Sequence, residues 1–250
     1  MLKFSPLKSN AKLKWMGKNA YSISTLSGVC CPYANECKSQ VVDNDGKRTI
    51  KDGPNTVFRC YSASQELLYK AMYKQRKHNH EEFVKAAVSL EATTNLILNS
   101  IPDDCNVVRW HVAGDFLTQR MFDAAIEVAK LRPDVHFYAY TKSLPFWVKR
   151  LGQIPDNFIL TASMGGKADH LIEKHNLRYV KVVYSEYEAK KLKLPVDHDD
   201  KYAMLPKFRN TNFALVIHGV QPKDTKGSKV WSDQIKGKRK FHGYSNKVKV

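Results

Sequence analysis

Cys31 and Cys37 in "CCPYANEC" and Cys60 in "RCYSAS" are the side chains of this sequence best suited to chemistry. The chain spends four of its five cysteines, counting Cys30, on one loop and the segment that follows it. An odd number of cysteines is poor material for a disulfide framework and points instead to metal binding or to plain burial. Thiolates are soft ligands for zinc or an iron–sulfur cluster, and three of them leave one coordination position open for water, substrate or cofactor. A closed structural zinc site would need a fourth ligand, for which Cys30 or His78 could serve. The competing reading is that the cysteines are small buried apolar residues. Cys105 stands apart and reads as a core or surface thiol.

A second group of reactive side chains falls where apolar runs end. In "RWHVAGDF" a period-two alternation puts His111, Ala113 and Asp115 on one face, with Asp115 at the carboxyl end. A carboxylate there can act as general base, nucleophile or acceptor for a substrate amine, or can simply cap the following helix. Gly114 permits close backbone approach beside it, and His111, deeper in the run, reads as a hydrogen-bonded core residue. "YAYTKS" contributes Thr141, Lys142 and Ser143, "LTASMGG" contributes Ser163, Gly165 and Gly166, and "VIHG" contributes His218. Hydroxyls, a lysine and paired glycines suit a phosphate or carboxylate, although they are also ordinary turn chemistry. Asp115, Lys142 and His218 are the candidate catalytic side chains of this rim.

The elements that position these residues follow from hydrophobic rhythm. "NAYSISTLSG" (19–28) reads as a first strand, and residues 61–99 as two helices. From residue 107 onward, strand-like runs at 107–116, 135–143, 157–163, 179–185 and 212–219 alternate with amphipathic segments, the pattern of parallel strands joined by helices. The expected fold is α/β, a partial or complete barrel of about six parallel strands with the cysteine loop after the first. An open doubly wound sheet is the second choice. Residues 1–222 are expected to form one such domain, 41–56 a hairpin or insertion between the second and third cysteines, and 223–250 a basic arm.

Charge points to a polyanionic partner. Lys and Arg number 41 against 24 Asp and Glu, a formal net charge of +17. That excess predicts attraction to nucleic acid, with Lys142, Lys236, Lys238, Arg239 and Lys240 as candidate contacts; a solvated lysine-rich surface is the plainer alternative. No apolar run is long enough to span a bilayer and "MLKFSPLKSNAKLK" lacks a secretory apolar region, so the expected location is the cytoplasm, with no membrane partner.

Read together, "AYSISTLSGVCCPYANEC…RCYSAS", "RWHVAGDF" and "FYAYTKS" resemble the phage and mobile-element family labelled gene product 88, over roughly residues 15–165. The cysteine order is also similar to that of three-cysteine, radical-SAM-like barrel proteins. That similarity implies that Cys31, Cys37 and Cys60 ligate a [4Fe–4S] cluster and that Gly114 and Asp115 contact the amino group of S-adenosylmethionine. The phage setting implies a DNA base-modifying enzyme with either cluster-dependent radical chemistry or a base exchange resembling deazaguanine-inserting transglycosylases. In the latter, Asp115 attacks the sugar and the metal is structural. Either mechanism needs the base out of the stack, with Tyr138, Tyr140 and Trp147 as candidate flanking aromatics. A non-catalytic nucleic-acid-binding protein whose metal staples a loop is the reading from a different class.

Overall fold

The computed structural model describes residues 1–223 and 225–230. Its strands are β1 (Ser5–Pro6), β2 (Ala20–Ile23), β3 (Ser39–Asn44), β4 (Lys47–Asp52), β5 (Val107–Trp110), β6 (His136–Thr141), β7 (Phe158–Ser163), β8 (Tyr179–Val183) and β9 (Phe213–Val216). Its α-helices are α1 (Tyr61–Leu68), α2 (Lys70–Ala86), α3 (Leu90–Leu98), α4 (Gln119–Leu131), α5 (Leu144–Val148), α6 (His170–Lys174), α7 (Glu186–Lys191) and α8 (Lys201–Met204). Seven strands form one sheet in the order β1-β2-β5-β6-β7-β8-β9. All neighbours in it are parallel except β1, which lies antiparallel on β2.

The expected parallel α/β sheet is therefore present, but a closed barrel is not. Among the described residues β1 and β9 remain at opposite edges of the sheet. The free side of β9 is taken by the preceding connection, where Ala214 N donates to Pro195 O and Asp197 N donates to Ala214 O. With those groups satisfied, the edge offers little for another strand to pair with. The segment 41–56 falls in the β3–β4 hairpin, and the two helices expected over 61–99 are three, because Tyr69 leaves helical geometry at φ −111° and ψ 98°.

Alternation along the strands divides the side chains between two cores. Val108, Trp110, Phe137, Phe158 and Leu160 pack on one face against Phe83, Ile97, Phe122, Leu144 and Ile172 of the helices. Helix α4 starts where Thr118 Oγ1 accepts from Met121 N, so the chain turns into that layer at a capped end. On the other face Ala20, Val107, Tyr138, Ile159, Val180 and Phe213 form the row nearest the amino ends of the parallel strands. Leu7, Leu13, Met16 and Ala203 close over them like a plug.

Above the plug the inner face becomes polar. Arg109 Nη1 lies 2.7 Å from Asp200 Oδ2, and the same carboxylate accepts from Tyr138 Oη at 2.9 Å and Tyr140 Oη at 3.1 Å. Asp200 is completely buried, in the left-handed region at φ 63°. Removing one partner of a buried, hydrogen-bonded pair strands the other charge. Asp200→Ala is therefore expected to cost about 3–5 kcal/mol in urea denaturation. Glu127→Ala, which breaks the exposed pair with Lys130, is expected to cost less than about 1 kcal/mol.

Candidate functional site

The cysteine loop follows β2 and is tied down on three sides. Asp115 N donates to Cys30 O at 3.0 Å on the β5 side. On the β7 side, Asn35 N and Glu36 N donate to Gly165 O at 3.3 and 3.0 Å, and Lys167 N donates to Tyr33 O at 2.8 Å. From within the loop, Lys38 Nζ donates to Gly28 O at 2.7 Å and Cys31 O at 2.8 Å. The β3–β4 hairpin then leaves and returns to the same place, because Val57 N and Phe58 N both donate to Glu36 O, at 2.7 and 3.2 Å. Thus the 22 residues between Cys37 and Cys60 in the sequence add no separation at the site.

Cys31, Cys37 and Cys60 line one cavity of about 170 Å³ at the carboxyl edge of the parallel strands. Asp115, Arg59, Arg109, Tyr61, Ser62, His111, Tyr140, Lys142, Ser163 and His218 add polar groups to the wall, and Phe58, Val182, Leu215 and Ile217 apolar ones. Burial raises the Cys31 thiol well above its ordinary range, and the nearby charges of Asp115, Cys60 and Cys37 add to the effect. Burial, with Cys37 beside it, pushes Cys60 up to about 11, although Cys60 stands at the amino end of α1, a position that by itself favours a thiolate. The Asp115 carboxyl is also raised, by burial that outweighs its hydrogen bonds. Three thiols and an acid thus crowd one pocket, whose lining cations Arg59, Arg109 and Lys142 are each held by other partners. As placed, no three His, Cys, Asp or Glu side chains among the described residues are grouped so as to hold a metal ion.

The cations near the pocket are already committed. Arg109 is on Asp200, and Lys142 Nζ gives its protons to Ser163 O (2.9 Å), Ser163 Oγ (2.8 Å) and Met164 O (2.5 Å). Lys142 is buried, so the expected phosphate contact from its ammonium is replaced by a tie to the end of β7. The other polar rim residues are likewise bonded to one another. Asp115 Oδ1 accepts from Thr141 Oγ1 at 2.6 Å and from Phe116 N at 2.8 Å, and Oδ2 accepts from Lys142 N at 2.7 Å. Ser143 Oγ donates to Phe116 O. Gly165 N and Gly166 N, which a phosphate would need, donate instead to Asp169 at 2.7 and 2.9 Å.

Strand β5 stops earlier than alternation implied. It ends at Trp110, and His111 turns left-handed at φ 57°, so His111, Ala113 and Asp115 do not share a strand face. His111 is buried as expected but not hydrogen-bonded: both ring nitrogens lack a partner and solvent. Gly114, at φ 80°, passes so close to Thr25 that an added Cβ would lie 2.0 Å from Thr25 Oγ1. The two candidate fourth ligands point elsewhere, Cys30 Sγ to His80 Nδ1 at 3.1 Å and His78 Nε2 to Met1 O at 2.8 Å. Cys105 is a core thiol. Of the flanking aromatics, Tyr140 lines the pocket, Tyr138 belongs to the plug and Trp147 to the outer core. His218, half-buried, packs on Tyr61 with ring centroids 4.5 Å apart and the rings tilted by 38°. Lys236, Lys238, Arg239 and Lys240 lie outside the described residues.

Arg59, Tyr61 and Arg109 were absent from the sequence expectations. The available signal was an arginine inside the apolar run "VVRWHV", since a buried cation must have a partner.

An open, mostly parallel α/β sheet with a cysteine-lined pocket at its carboxyl edge is the class that fold and site define. The family model described as Gene product 88 matches residues 3–239, and the chain belongs to that family. No curated protein and no solved structure matches the chain, so the comparisons give the similarity to radical-SAM-like barrels no support. No helix among the described residues is long and apolar enough to cross a membrane.

Two outcomes follow from this geometry. Gly114→Ala meets both a positive φ and the Thr25 contact, and is expected to lower stability by about 1–3 kcal/mol. Burial holds the His111 imidazole at about 3 rather than 6.5, so between those values the unfolded chain takes up a proton that the folded chain refuses. Urea midpoints are therefore expected to be flat between about pH 7 and 8 and to fall toward pH 4.5. His111→Asn, which tolerates positive φ, is expected to reduce that slope, while His218, which burial lowers to about 4, keeps a part of it. An unchanged slope would contradict the assignment to His111.

Proposed function

We propose that this protein is a nucleic-acid base-modifying enzyme, acting on DNA, with a soft-metal centre held by Cys31, Cys37 and Cys60. The observation that carries the reading is the convergence of these three thiols and Asp115 on one pocket at the carboxyl edge of parallel strands. The donor set suits a [4Fe–4S] cluster first and zinc second. Each cysteine has a single side-chain torsion with which to turn its sulfur toward the others. When bound there, a cluster supplies electron transfer with one iron free of protein ligands, and zinc supplies a Lewis acid.

The chain's own residues supply the rest. Asp115 uses three of a carboxylate's roughly four acceptor sites on Thr141, Lys142 and Phe116. The one that remains, on Oδ2, suits a hydrogen bond from a substrate or cofactor amine, such as that of S-adenosylmethionine. A carboxylate so engaged is a poor nucleophile, which weighs against base exchange by attack of Asp115. Phe58, Tyr61 and Tyr140 give the pocket aromatic walls for a planar ring, and its size admits a base only after extrusion from a duplex. The net charge of +17 supplies sequence-independent attraction to the phosphate backbone.

The test is the nucleoside composition of DNA from cells expressing the protein, read by mass spectrometry against Cys60→Ser. A new nucleoside with the native chain and none with the variant, at equal DNA affinity, is the expected result. Identical digests would overturn the enzyme reading in favour of a binding protein.

A further inference from the structure

After β9 the chain runs against the start of α1. Gly219, at φ 87°, passes so close that an added Cβ would lie 2.8 Å from Tyr61 Cβ. Ser64 Oγ donates to Val220 O at 3.2 Å. The buried Gln221 side chain then grips Arg59 twice: Arg59 N donates to Gln221 Oε1 at 2.8 Å, and Gln221 Nε2 donates to Arg59 O at 3.1 Å. The same Nε2 lies 3.5 Å from His218 O.

This pair of bonds is the exchange that two antiparallel strands make at one residue, here supplied by a side chain 162 residues further on. It fixes both peptide groups of Arg59, and the second of them is the one that leads into Cys60. The Cys60 carbonyl accepts from Ala63 N at 3.1 Å in the first turn of α1. Cys60 therefore sits between a clamped peptide and a helix end, and a single side-chain torsion is left to place its sulfur. The Arg59 guanidinium is held as well, by Asp52 at the end of the β3–β4 hairpin.

Gln221 is itself confined. Thr225 Oγ1 donates to Pro222 O at 2.7 Å and accepts from Ser228 N at 3.2 Å, and within the turn so formed the Gly227 backbone lies on the Gln221 side chain. A Cβ at residue 227 would lie 2.9 Å from Gln221 Cγ, so any larger residue there would push the amide away from Arg59.

We propose that Gln221 is a positioning residue for Cys60, holding the third thiol in the pocket that Cys31 and Cys37 line. This rests on the reading of the three cysteines as one metal-binding set and adds the residue that keeps the set together. Groups that orient a ligand without touching the metal change its affinity about tenfold to a hundredfold. A contact that merely closed the domain would cost stability without singling out one thiol.

The experiment compares the native full chain with Gln221→Met and Gly227→Ala, purified without oxygen and stripped of metal. Each is titrated with cobalt(II), and iodoacetamide labelling of Cys31, Cys37 and Cys60 is followed by peptide mass spectrometry. Asn157→Ala is the control, because Asn157 Nδ2 ties Ala129 O, Arg132 O and Val135 O together and lines no part of the pocket. Gln221→Met is expected to weaken cobalt binding roughly tenfold to a hundredfold and to speed labelling of Cys60 relative to Cys31. Gly227→Ala, which moves the amide without altering its chemistry, is expected to shift both readouts in the same direction. Asn157→Ala is expected to lower the urea midpoint and to change neither. Labelling of Cys60 that is no faster in either variant, or an Asn157→Ala chain that reproduces their effects, would overturn the proposal. The two readings fail separately. A native chain that binds no cobalt, with Cys60 labelling still raised by both variants, would defeat the metal set and leave the positioning role standing, whereas cobalt bound through Cys60 with an affinity indifferent to both variants would do the reverse.

Discussion

The Asp115 carboxylate is the join on which the pocket depends. It receives Thr141 and Lys142 from the end of β6 and Phe116 from its own turn, while its amide holds the cysteine loop through Cys30 O. Three elements distant in sequence are therefore fixed to one buried acid. Gly114 makes the join possible, because the backbone there passes against Thr25 where no side chain would fit. The constraint belongs to the packing, yet its consequence is functional: Cys31 is delivered to the wall that Cys37 and Cys60 also line.

Electrostatics divide the molecule into a charged exterior and a pocket whose cations are spent. Lys38 and Lys142 are anchored on carbonyls, Arg59 on Asp52 and Arg109 on Asp200, so none is dedicated to the crowded thiols. Bringing charged thiolates together in such a place is costly unless a cation accompanies them. The lysine excess of the chain acts at longer range, where it can draw a polyanion to the surface without disturbing the pocket. Attraction and chemistry are thus assigned to different residues, and loss of one need not abolish the other.

Much of the frame was legible because its signals are local. The period-two apolar runs gave the parallel strands, and the cysteine loop announced itself by composition. The left-handed turn at His111 was not legible, because "RWHVAGD" keeps its alternation past the point where the strand ends. The plug was hidden for a different reason. In "PVDHDDKYAMLPKF" Asp200 reads as a solvated acid, and the distant Arg109, Tyr138 and Tyr140 make its burial tolerable. The glycine pair at 165–166 looked free because its partner, Asp169, is an unremarkable residue a few positions on. Residues whose roles depend on such long-range partners are beyond the reach of spacing arguments.

The most direct test of the account is the iron, sulfide and zinc content of protein purified without oxygen, compared with chains carrying serine at Cys31, Cys37 and Cys60 singly. The account predicts bound metal in the native chain and its loss in each variant, because the three thiols act as one set. Metal-free native protein, or metal that persists after each replacement, would contradict it.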